Sequence, residues 1–220
     1  MKKTIAIVAC AAVMLLAGKA NAQLGVNFGY APVTLSSATT IGNTTTTSSS
    51  ELNGFFAGVT YNYSLSKDLG VAFGLQARLN TKTSTGSGSL IVVSANDKTT
   101  TTQLLLDVPV LLNYGFPLGG SAKLSAFAGP VFSYALYGNT HVTTNTTVLG
   151  STNTTESDYD MYGNNSSNSR FDLTGAFGLQ FQYSDFRLFG GYRLGFTDLN
   201  TNDNIKTTSS GLFVGLGYNL

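Results

Sequence analysis

The chain is poor in charge, in cysteine and in long apolar runs, and each shortage excludes something. Charged residues make up 10% of its 220 residues, against roughly 25% in a typical soluble domain. Its single cysteine, Cys10, lies near the N-terminus in a stretch that reads as a leader. The rest of the chain therefore carries no disulfide framework and needs a sizeable core, or lipid, for stability. His141 is the one histidine, which leaves little for imidazole chemistry. Beyond the leader no apolar stretch approaches the ~20 residues of a transmembrane helix.

Residues 1–22 have the order of a secretory signal peptide. Lys2 and Lys3 form a positive start, Ile5 to Leu16 is a short apolar run, and Ala20-Asn21-Ala22 offers a small-x-small cleavage site before Gln23. Ile7-Val8-Ala9-Cys10 loosely resembles a lipobox, but the apolar run continues past Cys10 and leaves too little before it. Cleavage leaves one domain, 23–220, of about 198 residues, and removes Lys2, Lys3 and Lys19. Nine basic residues then face eleven acidic ones, a balance of about −2. That excludes a nucleic-acid partner.

What is abundant is glycine (25), tyrosine (11) and phenylalanine (14). With little charge and no spanning helix, one membrane architecture remains. Only helices and closed barrels satisfy all their backbone groups in lipid.

Period-2 segments predict eight strands, near 24–35, 51–63, 70–82, 103–114, 122–138, 170–183, 186–198 and 209–220. Long polar stretches rich in Thr, Ser and Asn separate some of them, at 36–50, 83–102, 139–169 and 199–208. Short connections at Ser64–Leu69, Gly115–Ser121 and Ser184–Asp185 separate the others. This alternation of long and short is the loop asymmetry of an outer-membrane barrel, long outside and short in the periplasm.

The two faces of these strands differ. One parity carries Val26, Phe28, Phe55, Val59, Phe73, Leu75, Leu106, Val108, Phe177, Leu179, Val214 and Leu216. The other carries Asn27, Gly58, Thr60, Gln76, Arg78, Asp107, Asp172, Gln180, Arg187 and Arg193. A soluble barrel would also alternate, with its apolar face inward. The aromatic placement favours the membrane: Tyr63, Tyr114, Tyr183 and Tyr218 end strands two, four, six and eight, and so line the periplasmic rim as half of an interfacial girdle. In the fifth strand Leu124, Ala126, Ala128, Phe132, Tyr134 and Leu136 face lipid, Phe127 and Val131 face inward, and Pro130 shares the lipid face. Pro109 is inward in the fourth strand. A strand-interior proline marks an edge or a bulge, so a register shift is expected near one of the two.

Particular segments resemble a known family. Leu106-Asp107-Val108-Pro109-Val110-Leu111-Leu112-Asn113-Tyr114 resembles the acidic-aliphatic-Pro-aliphatic strand of the porin-family outer-membrane protein β-barrel domain (small, eight-stranded, OmpX/OmpA-like). Phe127-Ala128-Gly129-Pro130 is similar to that family's Ala-Gly-Pro segment, and Gly190-Gly191-Tyr192-Arg193-Leu194-Gly195 to its late Gly-rich hairpin. The resemblance implies an eight-stranded barrel and no catalytic residues to carry over. Leu220 stands last where such barrels commonly close on an aromatic, so Tyr218 is assigned that role.

Candidate chemistry is sparse. Arg78 and Asp107 fall at similar heights on adjacent strands, with Arg193 across the lumen. An eight-stranded barrel is just wide enough for side chains to fill, and a solitary buried charge is costly. These three therefore read first as an ion-pair plug and second as a gate. His141, with Thr143 two residues on and Glu156 or Asp158 in the same loop, is the sole candidate for catalysis, and nothing in the sequence fixes that arrangement. Glu156, Asp158 and Asp160 alternate on one side of an extended segment, a spacing that holds Ca²⁺ weakly at best; they read as a solvated loop. No cofactor or metal is expected. The Thr-rich stretches 83–102 and 139–169 favour strand, so one expectation is that they extend the wall above the membrane and present an exposed edge to a partner; the alternative is mobile, protease-resistant surface decoration.

The expectation is an all-β, eight-stranded antiparallel up-and-down transmembrane β-barrel. It is a monomer in the bacterial outer membrane with both termini in the periplasm, no appended periplasmic module, and lipid and an extracellular or periplasmic protein as partners. Its role is structural or adhesive. The alternatives are a narrow channel for small solutes and an outer-membrane lipid-modifying enzyme.

Overall fold

A computed structural model describes residues 22–42, 44–90, 93–148, 151–164, 166–202 and 204–220. The leader signals at Lys2, Lys3, Cys10 and Ala20-Asn21 lie outside the described residues. The strands are β1 (Ala22–Tyr30), β2 (Val33–Ile41), β3 (Thr44–Ser64), β4 (Leu69–Leu90), β5 (Val93–Gly119), β6 (Ala122–Val148), β7 (Ser151–Asp160), β8 (Phe171–Tyr183), β9 (Phe186–Gly195) and β10 (Ile205–Asn219).

Nine of these ten segments make eight staves of one closed antiparallel ring. β1 and β2 are a single stave interrupted at Ala31-Pro32, and both halves pair with β3 on one side and β10 on the other. From β3 the order runs through β4, β5, β6, β8 and β9 back to β10. β7 is outside the ring and pairs with β6. Closure removes the edges that an open sheet would present to lipid. The β3–β4, β5–β6 and β8–β9 connections are short and lie at one end. Gly119 and Gly120 take positive φ (105° and 59°), and Ser184 (φ 52°) does so in the two-residue connection from β8 to β9. The start of β1 and the last residue lie at that same end, where Gly25 pairs with Asn219 and Leu220 N–H donates to Leu24 C=O at 2.8 Å.

Burial decides which face points out. The apolar parity is on the outside: Phe28, Phe55, Leu75, Leu112, Phe177, Leu188 and Leu212 are all exposed, on staves spread around the ring. A soluble monomer rarely exposes a contiguous apolar patch beyond roughly 300–600 Å², and a soluble barrel would have turned these residues inward. The opposite parity is enclosed, with Asn27, Thr60, Gln76, Arg78, Asp107 and Asp172 buried. An apolar plug of Ala31, Phe56, Phe127, Val131, Ala176 and Phe213 shares the lumen with them. Glycine makes room for it: the Phe127 ring lies over Gly178, where a Cβ would meet Phe127 Cζ at 2.6 Å.

The register shift expected at Pro109 or Pro130 falls elsewhere. Leu104 pairs with Tyr137 but Leu105 pairs with Ala135, so the bulge is at Leu136, and Leu136 and Tyr137 are both exposed. Across each proline the register continues unchanged and only the pairing lapses, between Phe73–Val110 and Gln76–Asp107 at Pro109, and between Pro109–Val131 and Leu112–Ala128 at Pro130. A proline removes one ladder donor. Here Gly74 yields the space for the Pro109 ring, with a Cβ there only 2.7 Å from Pro109 Cγ. A missing side chain opposite a ring accommodates it without an inserted residue.

Residues 36–41, 44–50, 83–90, 93–102 and 139–148 of the polar stretches are strand rather than loop. β4 and β5 stay paired to Leu90–Val93, and β5 and β6 to Val93–Val148. Ten residues beyond Gln103 at ~3.3 Å each extend this wall by about 30 Å along the strand.

Candidate functional site

Two places concentrate polar chemistry, the lumen and the outer ribbon. In the lumen, Asp107 is fully enclosed and accepts three hydrogen bonds from two arginines. Arg78 Nε and Nη2 donate to its two oxygens at 2.8 and 3.2 Å, and Arg193 Nη1 donates across the barrel to Oδ2 at 2.8 Å. Arg193 also lies 5.3 Å from the Phe213 ring centre. The three residues singled out from the sequence thus form one group that ties β4, β5 and β9 together. From it the network climbs outward: Arg78 Nη1 reaches Asn80 Oδ1 at 3.5 Å, Asn80 donates to Gln103 at 3.3 Å, and Gln103 donates to the Tyr162 hydroxyl at 3.4 Å.

Tyr162 belongs to a cap over the outer mouth. After β7 the chain folds back, with Met161 N–H bonded to Gly138 C=O at 3.0 Å and the Tyr162 ring lying where a Gly138 side chain would be. Arg170 donates to Ala135 C=O and Tyr162 C=O, each at 3.1 Å, and its guanidinium lies 5.0 Å from the Tyr162 ring centre. Burial pushes the Tyr162 phenol pKa up from its ordinary value. A second segment laces onto the cap where Ser169 N–H meets Leu199 C=O at 2.8 Å and Thr201 N–H meets Ser167 C=O at 2.7 Å. A second buried carboxylate, Asp172, accepts from Thr197 at 2.7 Å and Ser209 at 2.6 Å. Its inward parity was legible in the sequence, whereas Tyr162 and the cap carried no periodic signal.

At the opposite rim Tyr63, Tyr114, Tyr183 and Tyr218 all point outward and are exposed. Tyr114 and Tyr218 each pack against a neighbouring phenylalanine, Phe116 at 4.9 Å and Phe186 at 5.1 Å between ring centres.

On the outer ribbon, pairing of β6 with β7 sets Asp158 opposite His141 and Glu156 opposite Thr143. His141 Nδ1 and Asp158 Oδ1 are 2.9 Å apart, and His141 Nε2 and Thr143 Oγ1 3.3 Å. Asn139 adds a bond to the same carboxylate at 3.1 Å. Bonds from His141 first, then from Asn139, hold the Asp158 carboxyl below its ordinary pKa. The chain has the order of an acid-base relay, but the His141 and Asp158 side chains are 41% and 66% exposed. The alternating carboxylates do not converge: Asp160 instead accepts from Tyr162 N–H at 2.8 Å. Among the described residues no group of three or more His, Cys, Asp or Glu is placed to hold a metal ion.

A closed ring with an apolar exterior, an enclosed interior of buried polar residues, and tall strands at one end defines an integral outer-membrane β-barrel protein. The chain belongs to the outer membrane protein beta-barrel domain family, whose model matches residues 17–201. No curated protein matches it. Among solved structures it is similar to Ail, the attachment invasion locus protein of Yersinia pestis, at 14% identity and TM-score 0.33, covering 91% of this chain and 99% of that one. It is also similar to Neisserial surface protein A, at 13% identity and TM-score 0.34 over 88% and 96%. The outer membrane protease OmpT of Escherichia coli matches at 8% identity and TM-score 0.34 over 91% and 97%. A shared barrel carries no function by itself.

Proposed function

We propose that the mature protein, residues 23–220 after removal of the signal peptide, is a monomeric outer-membrane barrel with a sealed lumen, and that it works through its outer ribbon by binding an extended protein strand. The observation that carries this reading is β7, which pairs with β6 and, among the described residues, with no other strand. Its outer edge offers backbone donors and acceptors for strand addition. Glu156, Asp158 and Asp160 alternate along that edge on one face, so the fitting partner carries Lys or Arg at alternate positions opposite them. The Asp107–arginine group, the phenylalanine plug and the Tyr162 cap support a sealed lumen over a solute path.

Two measurements test the reading. In planar bilayers the folded protein gives no stepwise current; steady single-channel steps would return the narrow-channel alternative. Deleting 143–156 leaves the barrel folded and abolishes adhesion of cells that display the protein; unchanged adhesion removes the ribbon from the account. Intact mass of the membrane-extracted protein, starting at Gln23, checks the cleavage site.

A second reading, an outer-surface hydrolase, has one observation in its favour, the Asp158–His141–Thr143 chain of contacts. In it Thr143 is the nucleophile, His141 its base and Asp158 the orienting acid. The open, water-exposed setting weighs against it, because catalytic groups sit in concave sites that exclude water. Ester hydrolysis on outer-leaflet lipid by wild type and Thr143→Ala decides: equal background rates discard the hydrolase.

A further inference from the structure

The inner end of the lumen holds a cation without a counter-charge. Arg187, second residue of β9, is 5% exposed and turned into the barrel. Among the described residues its one hydrogen bond runs from Nη2 to the neutral hydroxyl of Thr60 at 2.9 Å. Nε has no partner, and the ion pairs among the described residues, Arg78–Asp107, Arg193–Asp107 and His141–Asp158, do not include it. A guanidinium has five N–H donors, so most of its capacity is unspent within the protein. Arg193 is buried too, but it donates to Asp107, a carboxylate it shares with Arg78. A buried unpaired charge is costly enough that natural interiors pair it or leave it a ligand.

The surroundings form a receptor. Glycine clears the space around the guanidinium: a Cβ at Gly25 would lie 2.6 Å from Nη2, and one at Gly217 3.0 Å from it. Two cavities meet at Arg187. The inner one, about 60 Å³, is shared with Asn27, Gln76 and Gln180. The other, about 190 Å³, lies toward the short turns and is lined by Asn62, Asn113, Gln182, Asn219 and Lys123, with Asp68 among its rim residues. The side-chain oxygens of Asn27, Gln76 and Asn219 are buried without partners. Each amide can present its NH₂ by a half-turn of its last torsion. The larger cavity has room for a small anion, several times the ~30 Å³ share of one water.

We propose that this inner vestibule is a binding site for a small oxyanion, a carboxylate or a phosphate entering from the periplasm, with Arg187 as its principal ligand and Lys123 as a second positive charge. Arg187 binds as a charge-assisted donor in a site shielded from bulk water. The neutral amides complete the shell and set the size limit.

The test uses the folded protein in zwitterionic detergent micelles. Inorganic phosphate, and acetate separately, are titrated at constant ionic strength against chloride while the Arg187 and Arg193 Nε–H resonances are followed by NMR. The expected result is a saturable shift at Arg187 that Arg193 does not share and, followed at the backbone amides of β9 common to both proteins, affinity at least about tenfold weaker in Arg187→Gln. A response to phosphate alone or to acetate alone assigns the anion class. No saturable shift at Arg187 up to about 50 mM of either anion, or equal affinity in Arg187→Gln, overturns the proposal and leaves water as the occupant. If Arg187→Gln does not fold, Lys123→Gln at the rim replaces it, and unchanged affinity together with an unshifted Arg187 resonance is the overturning result.

Discussion

Replacing Asp107 by Asn is the sharpest single test of how the lumen is held. The substitution keeps the shape of the side chain and removes its charge. In the wild type that carboxylate takes hydrogen bonds from Arg78 at 2.8 and 3.2 Å and from Arg193 at 2.8 Å, and it is fully enclosed. Asp107→Asn leaves two buried guanidinium groups facing one neutral amide. Removing one partner of a buried pair costs about 3–5 kcal/mol, because the remaining charge stays out of water. That is a large part of the roughly 5–15 kcal/mol that holds a typical domain. With an unfolding slope near 2 kcal/mol per M urea, the midpoint for protein folded into lipid vesicles drops by about 2 M. The control replaces all three groups together, Arg78→Met with Asp107→Leu and Arg193→Met. Apolar replacement of a whole buried ion group is often neutral or stabilising, so this variant unfolds near the wild-type midpoint. A loss under about 1 kcal/mol for Asp107→Asn alone would refute the claim that the arginines depend on this carboxylate.

Three further outcomes are expected. Gly178→Val places a side chain against the Phe127 ring and the Gly190 carbonyl, 2.6 and 2.2 Å from the Cβ position; overpacking of that kind costs about 1–3 kcal/mol, read by the same urea titration. The chain has no tryptophan, so Tyr114→Trp reports on one position alone: its emission is quenched by bromine near the headgroups more than by bromine at the bilayer centre, and the reverse order takes Tyr114 out of the rim. For the outer ribbon, the folded Asp158 pKa lies below its ordinary 3.8. Its link to His141 therefore favours the ribbon fully above that ordinary value and is lost as pH falls through the depressed one. NMR titration of Asp158 shows the depression, and His141→Gln moves the pKa back up; no change in that variant means His141 is not the cause.

Strand faces were legible in the sequence because lipid and lumen select opposite chemistries at period two. Phe28 and Asn27, Leu75 and Gln76, and Val108 and Asp107 each fall on the faces that parity assigned to them. Stave lengths were legible only from the Thr content of 83–102 and 139–169, and not from alternation. Above Leu35, Thr81 and Gly138 both faces meet water, so Thr, Ser and Asn occur at either parity and hydrophobic alternation stops while the strand continues. Prolines misled for a related reason: Pro109 suggested a bulge, but Gly74, from another part of the sequence, lies opposite its ring. Contacts across the lumen, such as Arg187 with Thr60, depend on how the ring closes and on strand tilt, which local patterns do not encode. The order Asp158–His141–Thr143 needed the β6–β7 register, which no local motif encodes.

The central claim is that the apolar face is outside and the ring closes in a membrane. Heat-modifiable migration tests it most directly. Mature protein folded into detergent is run on a denaturing gel with and without boiling, alongside circular dichroism. The account requires a mobility shift on boiling together with a β-rich spectrum that survives the detergent until heated. A protein that stays soluble and monomeric without detergent, and migrates identically boiled or not, would contradict it.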